Sequence, residues 1–185
     1  MRVIAGKYKN RILKTVADNS VRPATDKVKG AIFNILQSRV DWNRSAVLDL
    51  YAGSGSVGIE ALSRGAKKVI FVENSRRAFQ YLKLNIDSLS ADGAAQVVFS
   101  DVDKFVQSAI SKYDVVFADP PYALESLPEL PTRIFSQEIV ARGGYLVVEH
   151  PAKYEFLPGS LWEAVVQKEY GRTAVTFFQH SKTAP

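Results

Sequence analysis

The sequence predicts an α/β fold: a doubly wound, mostly parallel sheet of seven strands closed by a C-terminal antiparallel hairpin, with a small hairpin-helix extension at the N-terminus. Three observations predict it. From residue 46 onward, short apolar runs alternate with amphipathic stretches, the pattern of a parallel sheet with helices on its faces. After the fifth run come two β-rich segments separated by Gly171-Arg172. Before the first run lies a basic segment with its own turn and helix signals.

In chain order, Arg2–Ala5 and Arg11–Val16 are expected to pair as a hairpin through Gly6–Asn10. Thr25 or Asp26 is placed to cap a helix running to about Ser38, with Val28, Ile32, Ile35 and Leu36 on one face. Gly30 inside that helix costs ~1 kcal/mol relative to Ala. The apolar runs AVLDLY (46–51), KVIFVE (68–73), AQVVFS (95–100), YDVVFAD (113–119) and GYLVVEH (144–150) are expected strands. Helices are expected over 56–64, 75–89, 102–110 and 130–141. Right-handed βαβ crossovers then put a ligand site outside the carboxyl ends of the strands. Segments 162–170 and 173–179 complete the sheet as a hairpin with a tight turn. The chain is therefore divided into a basic extension (1–44) and a body (45–185).

Composition narrows the chemistry. The chain has 185 residues, no Cys and two His, which excludes a disulfide, a thiol nucleophile and a Cys-ligated metal, and no metal is expected. No stretch has signal-peptide or membrane-span character, so a cytoplasmic protein without a membrane partner is expected. The net charge of +5 is unevenly placed: residues 1–44 carry ten Lys/Arg against three Asp, and the remaining 141 carry 14 against 16 acids. Such an arm suits a polyanion, because Lys and Arg facing phosphates displace counterions; a solvated basic face is the plain alternative.

Asp49-Leu-Tyr-Ala-Gly53-Ser-Gly55-Ser-Val-Gly58 follows the first strand and opens a helix, which is the setting of a cofactor-binding glycine loop. Glu73, at the end of the second strand, can accept from ribose hydroxyls, as in sites for NAD or for another adenosine cofactor. Asp49 separates the two: it would repel a pyrophosphate, whereas the ammonium and sulfonium of S-adenosylmethionine (SAM) favour a carboxylate. Asp101 can reach an adenine amino group or cap the helix that begins at Val102. With Asp119 at the end of the fourth strand, four strands deliver four carboxylates to one sheet edge.

Asp119-Pro120-Pro121-Tyr122 stands at that edge. The prolines fix the backbone, so the Asp119 carboxylate and the Pro120 carbonyl can accept both hydrogens of one amino group. A nucleobase amine is a poor nucleophile because its lone pair is conjugated with the ring; gripping both hydrogens favours a pyramidal nitrogen aimed at a methyl donor. Tyr122 is placed to stack on an extruded base, and a rigid turn with an edge tyrosine is the plain alternative. His150 has no Ser or Cys elbow beside it and is expected to be structural, His180 to do nothing specific, and Arg76, Arg77 and Lys83 to form a solvated face.

DLYAGSGSVGIEALSRGA, FVENS, SDVDKF and DPPY resemble, in order and spacing, the motifs of Rossmann-like class I SAM-dependent amino-methyltransferases. RVIAGKYKNRIL and RPATDKVKGAIFNIL resemble the RsmD family of bacterial 16S ribosomal RNA guanine-N2 methyltransferases. The resemblance covers most of residues 2–150 and departs from the family at Lys29-Gly30, where an Arg and an acid are usual. It implies methyl transfer from SAM to a guanine N2 amine in small-subunit ribosomal RNA, within assembled or assembling 30S subunits; a monomer is expected. Asp119, Pro120 and Tyr122 would be catalytic. Asp49, Tyr51, Gly53, Ser54, Gly55, Glu73, Asn74, Asp101 and Val102 would hold the cofactor. Arg2, Lys7, Lys9, Arg11, Arg22, Lys27 and Lys29 would hold RNA. The rival readings are a DNA adenine-N6 methyltransferase, disfavoured by the roughly twenty residues between Tyr122 and Gly143 that must supply target recognition, and a non-catalytic RNA-binding or assembly factor, disfavoured by the intact Asp119. A NAD-linked oxidoreductase is disfavoured by Asp49.

Overall fold

The computed structural model describes residues 1–15 and 25–182. Strands β1 (Ala46–Leu50), β2 (Lys68–Glu73), β3 (Ala95–Phe99), β4 (Tyr113–Ala118), β5 (Val140–Pro151), β6 (Trp162–Tyr170) and β7 (Thr173–His180) form one sheet in the order β3-β2-β1-β4-β5-β7-β6. β1 to β5 run parallel, and β7 lies antiparallel between β5 and β6, as the sequence predicts. The order reverses between β1 and β4, which opens a crevice beyond their carboxyl ends. Among the described residues no helix is long and apolar enough to cross a membrane.

Period-2 alternation gives the sheet two cores. Val47, Val69, Phe71, Val115 and Phe117 face one core, shared with α1 (Thr25–Leu36), α2 (Ser56–Ser63) and α3 (Arg76–Ser88). Leu48, Leu50, Val72, Val116 and Ala118 face the other, shared with α4 (Val102–Ser108) and α5 (Leu130–Ser136). Asp49 and Glu73 fall in the odd-numbered series, on the face that carries α2.

Two boundaries differ from expectation. The helix expected over 130–141 stops at Ser136, because Glu138 takes a left-handed φ of 52° and Val140 already pairs with Tyr113. β5 thus begins four residues earlier than its apolar run, across an irregularity at Gly143-Gly144 between the pairs Tyr113–Val140 and Val115–Tyr145. At the other end of the chain, α1 includes Thr25 and Asp26 in its first turn, so neither is its cap, and it ends at Leu36. The N-terminal hairpin is a single antiparallel bridge, Arg2 to Ile12, with Val3 N donating to Arg11 O (3.0 Å) and Leu13 N to Met1 O (3.0 Å). Val16, expected at its end, lies outside the described residues, as does Arg22.

The extension shares its core with the body. Val3, Leu13, Val28, Phe33 and Leu36 are buried against Val47, Ile59 and Phe117. Glu60 on α2, wholly buried, accepts from Ile4 N (2.7 Å), Ala5 N (3.1 Å) and Arg64 Nε (2.8 Å). Glu60→Ala orphans two backbone donors and a guanidinium together, so it is expected to lower stability by about 3 kcal/mol or more, measured by urea titration. Gly30→Ala should act in the opposite direction. Its Cβ would meet only Ile4 Cδ1, at 3.7 Å, so the expected gain is about 0.5–1 kcal/mol in the same assay.

Candidate active site at the carboxyl edge of the sheet

β1 leaves the sheet at Leu50 and turns through Tyr51 (φ 57°), Gly53 (φ 56°) and Gly55 (φ 81°) into α2. Glycine is demanded most strongly at Gly58. A Cβ there would lie 2.3 Å from the Phe71 ring and 2.9 Å from Asp49 Oδ2, so only glycine lets α2 settle onto β1 and β2. That approach allows Gly58 N to donate to Asp49 Oδ2 at 2.9 Å. Asp49 is 4% exposed, and burial pushes its carboxyl up to about 8. The Gly58 bond opposes the shift by favouring the charged form, while the Asp119 and Glu73 charges add to it.

The loop is clamped from both sides. Glu73 accepts from Gly53 N through Oε2 (2.7 Å) and from Ser75 N through Oε1 (2.6 Å). Asn85 on α3 donates through Nδ2 to Ser54 O (2.9 Å) and to Lys14 O (2.9 Å), tying the loop to the extension. Asp101 caps α4, its Oδ1 accepting from Asp103 N (3.0 Å) and Lys104 N (3.2 Å). The Val102 side chain is buried in the second core, and Asn74 is exposed beside Glu73. A cavity of about 120 Å³ lies between the loop and β4, lined by Lys29, Asp49, Tyr51, Gly53, Ser54 and Asp119, among others.

At its mouth Asp119 is exposed and Pro120 buried. Leu124 N donates to Pro121 O at 2.9 Å, closing a turn, while the Pro120 carbonyl accepts no backbone bond among the described residues. The Tyr122 hydroxyl lies 2.6 Å from Thr173 Oγ1, so the first residue of β7 fixes the ring at the site.

Residues 1–179 match the family model described as Conserved hypothetical protein 95. The chain is 40% identical over 184 residues to a putative rRNA methyltransferase, YlbH, of Bacillus subtilis, spanning 97% of this chain and 98% of that protein. It is 31% identical over 183 residues to ribosomal RNA small subunit methyltransferase D of Haemophilus influenzae, spanning 97% and 94%. The chain belongs to the RsmD family. Among solved structures, a putative methyltransferase, yhhF, from Escherichia coli superposes with a TM-score of 0.85 at 30% identity over 97% of both chains.

The RsmD-type motifs thus bring Asp49, Gly53, Ser54, Tyr51 and Asp119 around one cavity, with Glu73 behind the loop. Of the residues expected on RNA, Arg2, Lys7, Lys9, Arg11 and Lys27 are exposed. Arg2, Lys9 and Lys27 line a cleft of about 370 Å³ between the hairpin and α1. Lys29 is placed otherwise. It is 3% exposed, its ammonium turned inward to donate to Arg2 O (2.7 Å) and Ser56 Oγ (2.9 Å), so it is buried away from a phosphate on the surface.

His150 is wholly buried, and burial lowers its affinity for a proton. Its Nδ1 meets Pro151 O at 2.9 Å, where only a donor serves, and its Nε2 meets Thr176 Oγ1 at 2.8 Å, which makes it a structural neutral imidazole. His180 is structural too: its Nε2 donates to Val140 O at 2.9 Å. Sequence reasoning missed Glu149, which lines the cavity, as well as Asn85 and Thr173. An acid at the end of the fifth strand was the available signal for Glu149; no local signal marks the other two.

Asp49 makes stability depend on pH. A folded value near 8 against 3.8 unfolded means that the folded protein holds the proton more tightly. Its contribution to stability therefore falls as pH rises from about 4 to about 8 and is level above that. Asp49→Asn is expected to flatten this part of the profile and to be more stable than wild type at pH 8, measured by urea midpoints across the range. An unchanged profile would place the titration elsewhere.

Proposed function

We propose that this protein transfers a methyl group from SAM to the exocyclic N2 amine of a guanine in small-subunit ribosomal RNA, alone or within 30S subunits. One observation carries the reading: an exposed Asp119 lines a cavity backed by the buried carboxyl of Asp49, and the carbonyl of the next residue, Pro120, accepts no backbone bond among the described residues. The names of the relatives, an rRNA methyltransferase and a small-subunit methyltransferase D, supply the substrate class.

The residues fit SAM better than a dinucleotide. Asp49 is a buried acid that a cationic ligand would draw into its charged form, and a pyrophosphate would meet it head on. The cavity, at about 120 Å³, is below the roughly 300–1,000 Å³ of sites that enclose whole ligands. It suits the amino-acid end, with the adenosine left to the open edge at Glu73 and Asp101. Each Glu73 oxygen keeps a second lone pair for a ribose hydroxyl, and Asp101 Oδ2 faces no cap donor. When bound, SAM supplies an electrophilic methyl on a sulfonium.

The chain's own contribution is positioning. Asp119 and Pro120 O accept the two amine hydrogens, which orients the nitrogen lone pair, and the proton released on alkylation leaves toward the Asp119 carboxylate. Tyr122, its hydroxyl held by Thr173, offers its ring for stacking on the extruded base, and Arg2, Lys9 and Lys27 offer the cleft to RNA phosphates.

Asp119→Ala is expected to keep SAM binding within about threefold and to lose at least a hundredfold in turnover. The check is transfer of labelled methyl to small subunits, and to RNA, from a strain lacking the gene, with DNA in parallel. Label in DNA alone would sink the proposal, and no label anywhere with SAM still bound would favour an assembly factor.

A further inference from the structure

We infer that Lys29 is the residue that holds the α-carboxylate of the cofactor's amino-acid end, so that the cavity recognises a zwitterion through Lys29 and Asp49 together. The inference rests on the SAM reading above and adds to it a residue from outside the glycine loop.

Lys29 stands on α1, in the extension, yet lines the same cavity as Asp49, Gly53, Ser54 and Asp119. It is 3% exposed, and burial lowers its hold on the proton. A buried ammonium is costly unless it is both bonded and balanced by charge. Two of its three protons are placed, on Arg2 O at 2.7 Å and Ser56 Oγ at 2.9 Å, and both acceptors are neutral. Its ion-pair partner is Asp26, whose Oδ1 stands 3.9 Å away, too far for a hydrogen bond, and itself has no hydrogen-bond partner among the described residues. Glu60, which also acts on Lys29 electrostatically, is committed to Ile4 N, Ala5 N and Arg64. Among the described residues no acceptor takes the third proton, which leaves it for a ligand in the cavity.

The facing group has the opposite need. Asp49 is a buried carboxyl whose charged form lacks a cation, and the cavity between the two accepts something about the size of an amino-acid head group. An α-ammonium toward Asp49 and an α-carboxylate toward Lys29 satisfy both at once.

The test is calorimetric and uses three probes: S-adenosylhomocysteine, its decarboxylated counterpart, and methylthioadenosine, which lacks the whole amino-acid end. Wild type is expected to prefer S-adenosylhomocysteine over the decarboxylated compound by roughly ten- to a hundredfold, the range of a charge-assisted hydrogen bond. Lys29→Met is expected to erase that preference by weakening S-adenosylhomocysteine alone, leaving the other two within about twofold. Lys29→Gln, which can still donate to Arg2 O or Ser56 Oγ but carries no charge, should do the same and guards against a Met variant that fails to fold. Equal affinity of wild type for the carboxylated and decarboxylated compounds overturns the inference, as does a preference that survives both variants, which would place the cation elsewhere. Equal weakening of all three probes overturns it too, since Lys29 would then serve the fold only. If wild type binds none of the three, the cofactor reading itself falls, and this assignment with it.

Discussion

The hydrogen bond from Gly58 N to the buried carboxyl of Asp49 is the contact on which the site depends. It exists because residue 58 has no side chain, so that α2 rests against Phe71 and brings its first turn over the end of β1. It also fixes where the loop from Tyr51 to Gly55 must run, and Glu73 and Asn85 then hold that path. The same contact leaves an acid in an apolar setting at the point where β1 and β4 part. A fold selected for stability alone has no reason to keep it there, since burial raises the cost of its charge far more than one backbone donor lowers it. The cost makes sense when a cationic ligand balances it.

The second dependence runs through α2. Ser56, Glu60 and Ser63, spaced i, i+4 and i+7, share the face of this helix that holds the extension, Ser56 through Lys29, Glu60 through Ile4 and Ala5, and Ser63 through Tyr8 N at 2.9 Å; Gly58, on the opposite face, touches Asp49. The basic arm and the acidic edge, distinct in charge along the chain, are therefore joined by eight residues of one helix. Any displacement of the hairpin by a bound polyanion would reach the glycine loop through side chains that are themselves buried. Continuity of the core between Val3, Phe33 and Ile59 makes such a displacement a shift of packed elements, since no flexible joint separates them among the described residues.

Most of the architecture was legible because buried parallel strands are nearly continuous apolar runs, and these were short and well separated. The α5–β5 boundary was not, because Ile139, Val140 and Ala141 extend a helical pattern as well as they begin a strand. Only a left-handed Glu138 and the pairing of Val140 with Tyr113 decide it. Lys29 was misplaced for a different reason. Charge at a helix position reads as an RNA contact, although residues 29, 32, 33 and 36 form an i, i+3, i+4, i+7 stripe whose other members, Ile32, Phe33 and Leu36, are all buried. The periodicity held the information, and the residue type concealed it. Thr173 and Asn85 were beyond reach, since each matters through a partner 51 or 31 residues away in the chain.

The antiparallel hairpin has a place in the chemistry as well as in the topology. In an all-parallel sheet the neighbour of β5 would run with it and present a strand terminus of the same sense at the carboxyl edge. Because β7 runs the other way, its first residue, Thr173, pairs with Pro151 at that edge and meets the Tyr122 hydroxyl at 2.6 Å. The turn that carries the four-residue motif is thus held at both ends, by β4 through Asp119 and by β7 through Tyr122. Two prolines restrict the backbone between these anchors. Positioning catalysis needs that rigidity: a grip on two amine hydrogens works only if the two acceptors keep a fixed separation, and a stacking ring helps only if it stays beside them. The strand order that marks this fold is in that respect part of the active site.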